Sequence, residues 1–166
     1  MANSLVPRRE LLKGMGLATL GGGAIAALSP TSALADGDHE GASSPVGPWK
    51  LTVVDQSGPA PVTSQGVAIF NPGGGFETTE TGQPAIGLGR WMASGEGQFR
   101  ATFDQFAFDS SQTFLGTAEI RIKGRVRGDS IAGEFAFDIS DPAGNPVPGG
   151  SGHGTFSGKG FQVKPI

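Results

Sequence analysis

From Phe114 to Arg127 the chain alternates with a strict period of two. Phe114, Gly116, Ala118, Ile120, Ile122, Gly124 and Val126 fall on one side, and Thr117, Glu119, Arg121, Lys123 and Arg125 on the other. Successive side chains of a strand point to opposite faces whereas a helix repeats every 3.6 residues, so this run predicts one long β-strand with a dry face and a wet face. The next run repeats the pattern, with Ile131, Gly133, Phe135, Phe137 and Ile139 opposed to Ala132, Glu134, Ala136 and Asp138. Gly128-Asp129 between them supplies the turn of a hairpin, across which Glu134 is expected to offset part of the basic row.

From Trp49 onward the chain consists of short β-type runs punctuated by Gly, Pro and Asn, with no sustained apolar helical period. Eight strands are predicted, over 49–54, 66–71, 75–80, 87–93, 98–109, 113–127, 130–139 and, with a break, 152–163. Asn71-Pro72-Gly73-Gly74, Ser94-Gly95-Glu96-Gly97, Asp109-Ser110-Ser111-Gln112 and Gly128-Asp129 provide turn chemistry between them. Short connections imply an up-and-down antiparallel order. Long one-sided strands with glycine on the apolar face suit closure into an eight-stranded β-barrel, since closure removes edges and glycine relieves crowding where strands coil. The alternative all-β arrangement is a β-sandwich. The fifth run breaks parity, because Phe99, Ala101 and Phe103 share a face that Phe106 and Phe108 do not. A bulge near Asp104-Gln105 is expected to return all four rings to the interior and to re-aim one of those polar side chains.

Ahead of the barrel lies a segment of different character. Arg8-Arg9-Glu10-Leu11-Leu12-Lys13, an apolar Gly/Ala-rich stretch from Gly14 to Leu28, and Ser32-Ala33-Leu34-Ala35 have the basic, apolar and small-residue zones of an export signal, with cleavage expected after Ala35. The implied partners are the export machinery and a signal peptidase, and the processed chain is expected to have no stable membrane insertion. Residues 36–46, acidic and unpatterned, read as a disordered spacer, and 47–166 as the single barrel domain. Without Arg8, Arg9, Lys13 and Glu10, nine basic side chains face fourteen acidic ones, a net charge of −5 that makes nucleic acid an unsuitable partner. The chain has no cysteine. That excludes thiol nucleophiles, Cys-zinc sites, iron–sulfur clusters and a lipidated cysteine, and leaves the exported domain with no disulfide.

The leader resembles the twin-arginine export family, whose pattern is Ser/Thr-Arg-Arg-x-Phe-Leu-Lys. Pro7 and Leu11 stand where that family has its hydroxyl residue and phenylalanine. The resemblance implies that the domain folds inside the cell and crosses already folded. Gly47-Pro48-Trp49 followed by a meander of eight strands resembles the calycin superfamily of lipocalin-like barrels, which open on Gly-x-Trp. It implies that Trp49 packs across the closed end of the barrel as a structural plug. The Thr-Asp-Tyr of a second lipocalin motif is missing and the chain has no tyrosine. A looser architectural likeness is to allene-oxide-cyclase-like and dirigent barrels, which shape a reactive ligand inside an apolar cavity.

Few polar residues stand out as chemistry. His153, between glycines, is the only histidine after the spacer's His39, and its neighbours point to an exposed strand end. Arg90 beside Trp91, with Glu77 and Glu80 on the third strand, reads either as a charge pair at a barrel mouth or as a solvent-facing salt bridge. The oxygen-rich Asp138–Asn145 stretch lacks the twelve-residue spacing of a calcium loop and fits a long turn, and Asp36-x-Asp38-His39-Glu40 fits a solvated tail; no metal site is assigned. Arg127-Gly128-Asp129 falls on a hairpin tip, where a three-residue match is commonly accidental. Gly73-Gly74-Gly75 lacks the lysine and helix of a phosphate loop, and no nucleophile elbow is present.

The expected function is therefore binding of a small apolar or aromatic ligand inside the barrel, by Trp91, Phe99, Phe103, Phe106, Phe114, Phe135 and Phe137, with Arg90 and Glu77 as polar contacts. No cofactor is implied. A cofactor-independent isomerase or cyclase, using Arg90, Glu77 or Asp104, and a filled, non-catalytic envelope protein are the alternatives, and the enzyme question stays open with a lean towards none.

Overall fold

The computed structural model describes residues 44–108 and 111–162; the expected leader and the larger part of the expected spacer lie outside them. Eight strands follow in order: β1 (Gly47–Asp55), β2 (Val62–Phe70), β3 (Gly75–Glu80), β4 (Gly87–Gly95), β5 (Gln98–Phe108), β6 (Phe114–Arg127), β7 (Ser130–Ser140) and β8 (Pro146–Gly160). Each pairs antiparallel with its sequence neighbour, and β1 pairs with β8, which closes the barrel. There is no helix among the described residues.

The turn after β2 is one the sequence announces. Asn71 accepts the Gly74 N–H at 3.0 Å while its own N–H reaches Gly75 O at 2.9 Å, and Gly74 takes φ of 81°, where a side chain is strained. The last strand departs most from expectation, since it begins at Pro146, six residues early, and stops at Gly160. Prolines fit there because β1 pairs with β8 only from Gly154 onward and Gln56 and Ser57 bond to it only at His153, so the outer edge at Pro146 and Pro148 needs no donors.

The core explains the glycines. In register, Phe99 lies opposite Gly124, Phe103 opposite Gly89, Phe156 opposite Gly133, Phe137 opposite Gly152 and Phe135 opposite Gly154. Four of the rings cover the bare backbone of their partners, and that of Phe103 lies over Gly87, two residues before its partner: a Cβ built on Gly124 or on Gly154 would stand 2.5 Å from the Cζ of Phe99 or of Phe135. One large and one absent side chain per pair let five rings fill an interior too narrow for two layers of side chains.

The parity of β5 resolves differently from expectation. The β5–β6 ladder runs without interruption through Asp104 and Gln105, and the register shifts only between Ala107 and Phe108, where Phe108 pairs with Phe114 and Leu115 is passed over. The bulge is thus on β6. It turns Leu115 towards the core and leaves Phe114 exposed. Strict alternation persists in β5, so Gln105 and Ala107 follow Phe103 inward. Phe106, 55 % exposed, stands on the outer wall, its ring 5.7 Å from that of Phe114 at 89°.

Candidate functional site

The strand directions give the barrel two unlike ends. At the end where β1 begins, Trp49, Phe70, Phe76 and Phe99 are all buried, with Trp91 half-buried beside them. Phe70 touches the rings of Phe76, Trp91 and Phe99 edge-on at 4.9, 5.8 and 5.0 Å. Both indoles are tied to backbone: Trp49 Nε1 donates to Pro45 O at 2.7 Å and Trp91 Nε1 to Asn71 O at 2.8 Å. Pro45 is itself buried, so ordered packing begins two residues before β1. This end is plugged.

Towards the opposite end the barrel encloses a cavity of about 100 Å³. Leu51 and Val53 of β1, Phe76 of β3, Phe103 of β5, Ile120 and Ile122 of β6, Phe135 and Phe137 of β7 and Phe156 of β8 form its apolar wall. Asp55, Thr78, Glu80, Gln83 and Gln105 form the polar part, at the ends of β1, β3 and β5 and in the β3–β4 connection. That connection is a lip fastened across the opening: Gln105 Nε2 donates to Ala85 O at 2.8 Å, and the Gln83 N–H to Glu80 O at 3.1 Å.

Glu80 is the strongest electrostatic feature of the mouth. Parity places it inside, on the face of Phe76 and Thr78. Removal from water pushes its carboxyl above the ordinary glutamate range; a hydrogen bond from Ser64 Oγ to Oε1 acts downward, and the charge of Asp55 again upward. Its Oε2 has no donor among the described residues. Asp55 is fixed by the Ser57 N–H, which donates to Oδ1 at 2.8 Å. None of the side chains lining the cavity is a lysine, arginine or histidine.

Of the residues expected to bind a ligand, Phe103, Phe135 and Phe137 do line this cavity. Phe99 and Trp91 belong to the packed plug. Phe106 and Phe114 are outside, for the reason given by the register, and so are Arg90 and Glu77, both on the alternate face of their strands. Glu77 accepts from Asn71 Nδ2 at 3.2 Å rather than from Arg90. Asp104 likewise faces solvent. Glu80, Asp55 and Gln105 are legible by parity once Phe76, Trp49 and Phe103 are taken as inward.

The other motifs have structural explanations. Asp141 Oδ1 accepts the N–H groups of Ala143 and Asn145 at 2.9 and 2.8 Å, which accounts for its lowered pKa and makes 141–145 a self-bonded turn, shorter than expected because 138–140 belong to β7. Asp129 of the hairpin tip pairs with Lys159 at 2.9 Å. In the basic row Arg121 binds Glu119 and Asp138, and Lys123 pairs with the cross-strand Glu134 as expected. His153 is exposed on the outer wall.

No family model, no curated protein and no solved structure matches this chain.

Proposed function

We propose that this protein is an exported β-barrel that holds a small apolar or aromatic molecule in its interior, beneath the mouth formed by Asp55, Glu80, Gln83 and Gln105. The observation that carries this reading is the cavity of about 100 Å³ with nine apolar side chains around it. It has about two thirds of the volume of engineered apolar cavities of roughly 150 Å³ that take up benzene, and it opens at the mouth, so its occupant is a molecule of about one ring or smaller. The plug at the other end gives the ligand a single route, past the Gln105-anchored lip.

The twin-arginine-like leader supports delivery of the folded barrel to the periplasm, envelope or exterior, and the closed meander with its Gly-x-Trp start supports a calycin-like relationship. Native mass spectrometry of the full-length gene product, recovered from the producing cells and their medium, tests both parts. A chain starting at Asp36 and carrying a stoichiometric small molecule is the expected result. A chain retaining its leader, or one free of adducts from every fraction, refutes export or binding respectively.

One feature favours a second reading, a cofactor-independent isomerase. A desolvated Glu80 with a raised pKa at the edge of an apolar pocket has the properties of a general acid. Conversion of the recovered molecule to an isomer by wild-type protein but not by Glu80→Gln would favour catalysis over storage or transport.

A further inference from the structure

The binding reading leaves open which apolar molecules the cavity prefers, and its charge distribution bears on that choice. Two carboxylates, Asp55 and Glu80, border the cavity, and no cationic side chain lines it. Carboxylates at protein surfaces ordinarily find a partner or remain in water. Here Ser64 satisfies one oxygen of Glu80, and Oε2, with no protein donor among the described residues, is left to the solvent at the mouth, where a ligand can reach it. Asp55 has one oxygen committed to the Ser57 turn. Beneath this acidic rim lies the apolar chamber of about 100 Å³.

We propose that the cavity is selective for a small organic cation, an apolar body of about one ring bearing a protonated amine, whose ammonium sits between Glu80 and Asp55 while the ring lies against Phe103, Phe135 and Phe137. This rests on the ligand-binding reading above. An ammonium has three donors and no acceptor, so it fits a site that offers carboxylate oxygens, whereas a carboxylate-bearing molecule would meet like charge. A bare divalent ion is a poor occupant: calcium needs six to eight oxygen ligands, and the surroundings are mostly hydrocarbon. Seating the cation also compensates for the cost of keeping Glu80 ionised in a desolvated position. The groups facing Glu80 from neighbouring elements are Asp55 of β1, Ser64 of β2, Gln83 of the lip and Gln105 of β5, so Asp55 is the one other titrating group there.

Three probes of nearly equal shape separate this proposal from the reading beneath it. Toluene, benzylamine and benzoate are titrated into the full chain at neutral pH by calorimetry, for wild type and for Glu80→Gln. Benzylamine is expected to bind about tenfold or more tightly than toluene, as one charge-assisted contact implies, and benzoate not at all. Glu80→Gln is expected to weaken benzylamine several-fold relative to toluene, the remaining preference being that of Asp55, and toluene binding by the variant reports whether the cavity is intact. Equal affinities of the wild type for toluene and benzylamine, or a preference that Glu80→Gln does not reduce, overturn the selectivity and leave binding standing. Failure of both toluene and benzylamine to bind overturns selectivity and binding together.

Discussion

Replacing Trp49 by alanine removes the largest element of the plug, and the structure allows its cost to be divided. A tryptophan buries about 150–250 Å² on folding, equivalent to about 4–6 kcal/mol at 25 cal/mol per Å² as an upper bound. Measured truncations of buried aromatic residues cost about 3–5 kcal/mol. A second contribution comes from Pro45, whose buried carbonyl loses its 2.7 Å bond from the indole N–H and costs about 1–3 kcal/mol if stranded. Trp49→Ala is expected to destabilise by about 4–6 kcal/mol, and Trp49→Phe, which keeps a ring but loses the donor, by about 1–3 kcal/mol. Urea unfolding followed by fluorescence suits the test, because the chain has two tryptophans and the remaining Trp91 reports on the plug through its contact with Phe70. A Trp49→Ala cost below about 1.5 kcal/mol would refute the assignment of this end as packed core. Equal costs for the two variants would instead refute the division between ring and carbonyl.

Four other perturbations have outcomes set by the geometry. The pKa of Glu80 is raised in the folded state, so its protonated form is favoured by folding; that stabilisation is complete below the ordinary glutamate pKa and is lost as pH rises through the folded value. Glu80→Gln is therefore expected to be more stable than wild type at neutral pH and to lose that advantage in acid, as melting temperatures across the range will record. Gly124→Ala is expected to cost about 1–3 kcal/mol by pressing on Phe99, with part of the cost relieved in a Phe99→Leu background, and a double-mutant cycle without coupling would contradict the ring-over-glycine account. Ile122→Phe, which fills the cavity, is expected to abolish toluene binding in calorimetry while the barrel's circular dichroism is retained. Arg90→Ala, on the outward face, is expected to change stability by no more than about 0.5 kcal/mol and to leave toluene affinity unaltered.

Strand identity, order and closure are readable because period-two alternation runs through most of each long strand and turn residues fall between the runs. Beyond that, legibility depends on whether parity can be carried past an irregularity. A preference of aromatic rings for cores argues for Phe106 inside, yet alternation from Phe103 already places it outside, and the two rings at 106 and 114 form their own outer-wall contact. The bulge in the β5–β6 ladder skips Leu115 on β6, where the sequence keeps a pattern so regular that it carries no warning. Glu77 and Arg90 are suggestive through the neighbouring Trp91, but Phe76 fixes the inward face of β3 as Phe76, Thr78 and Glu80. Parity alone thus selects Glu80. The hydrogen bond from Ser64, sixteen residues earlier, depends on the β2–β3 register, and the cavity depends on how five rings settle over five glycines, which no local pattern encodes.

Ligand binding of any kind requires an accessible apolar chamber above the plug, and a crystal of the protein pressurised with xenon examines that chamber without assuming a ligand. Xenon density among Phe103, Ile122, Phe135 and Phe137 is the expected result. Closely packed side chains at that position, with no density, would contradict it and make the protein a filled barrel whose acidic mouth opens onto nothing.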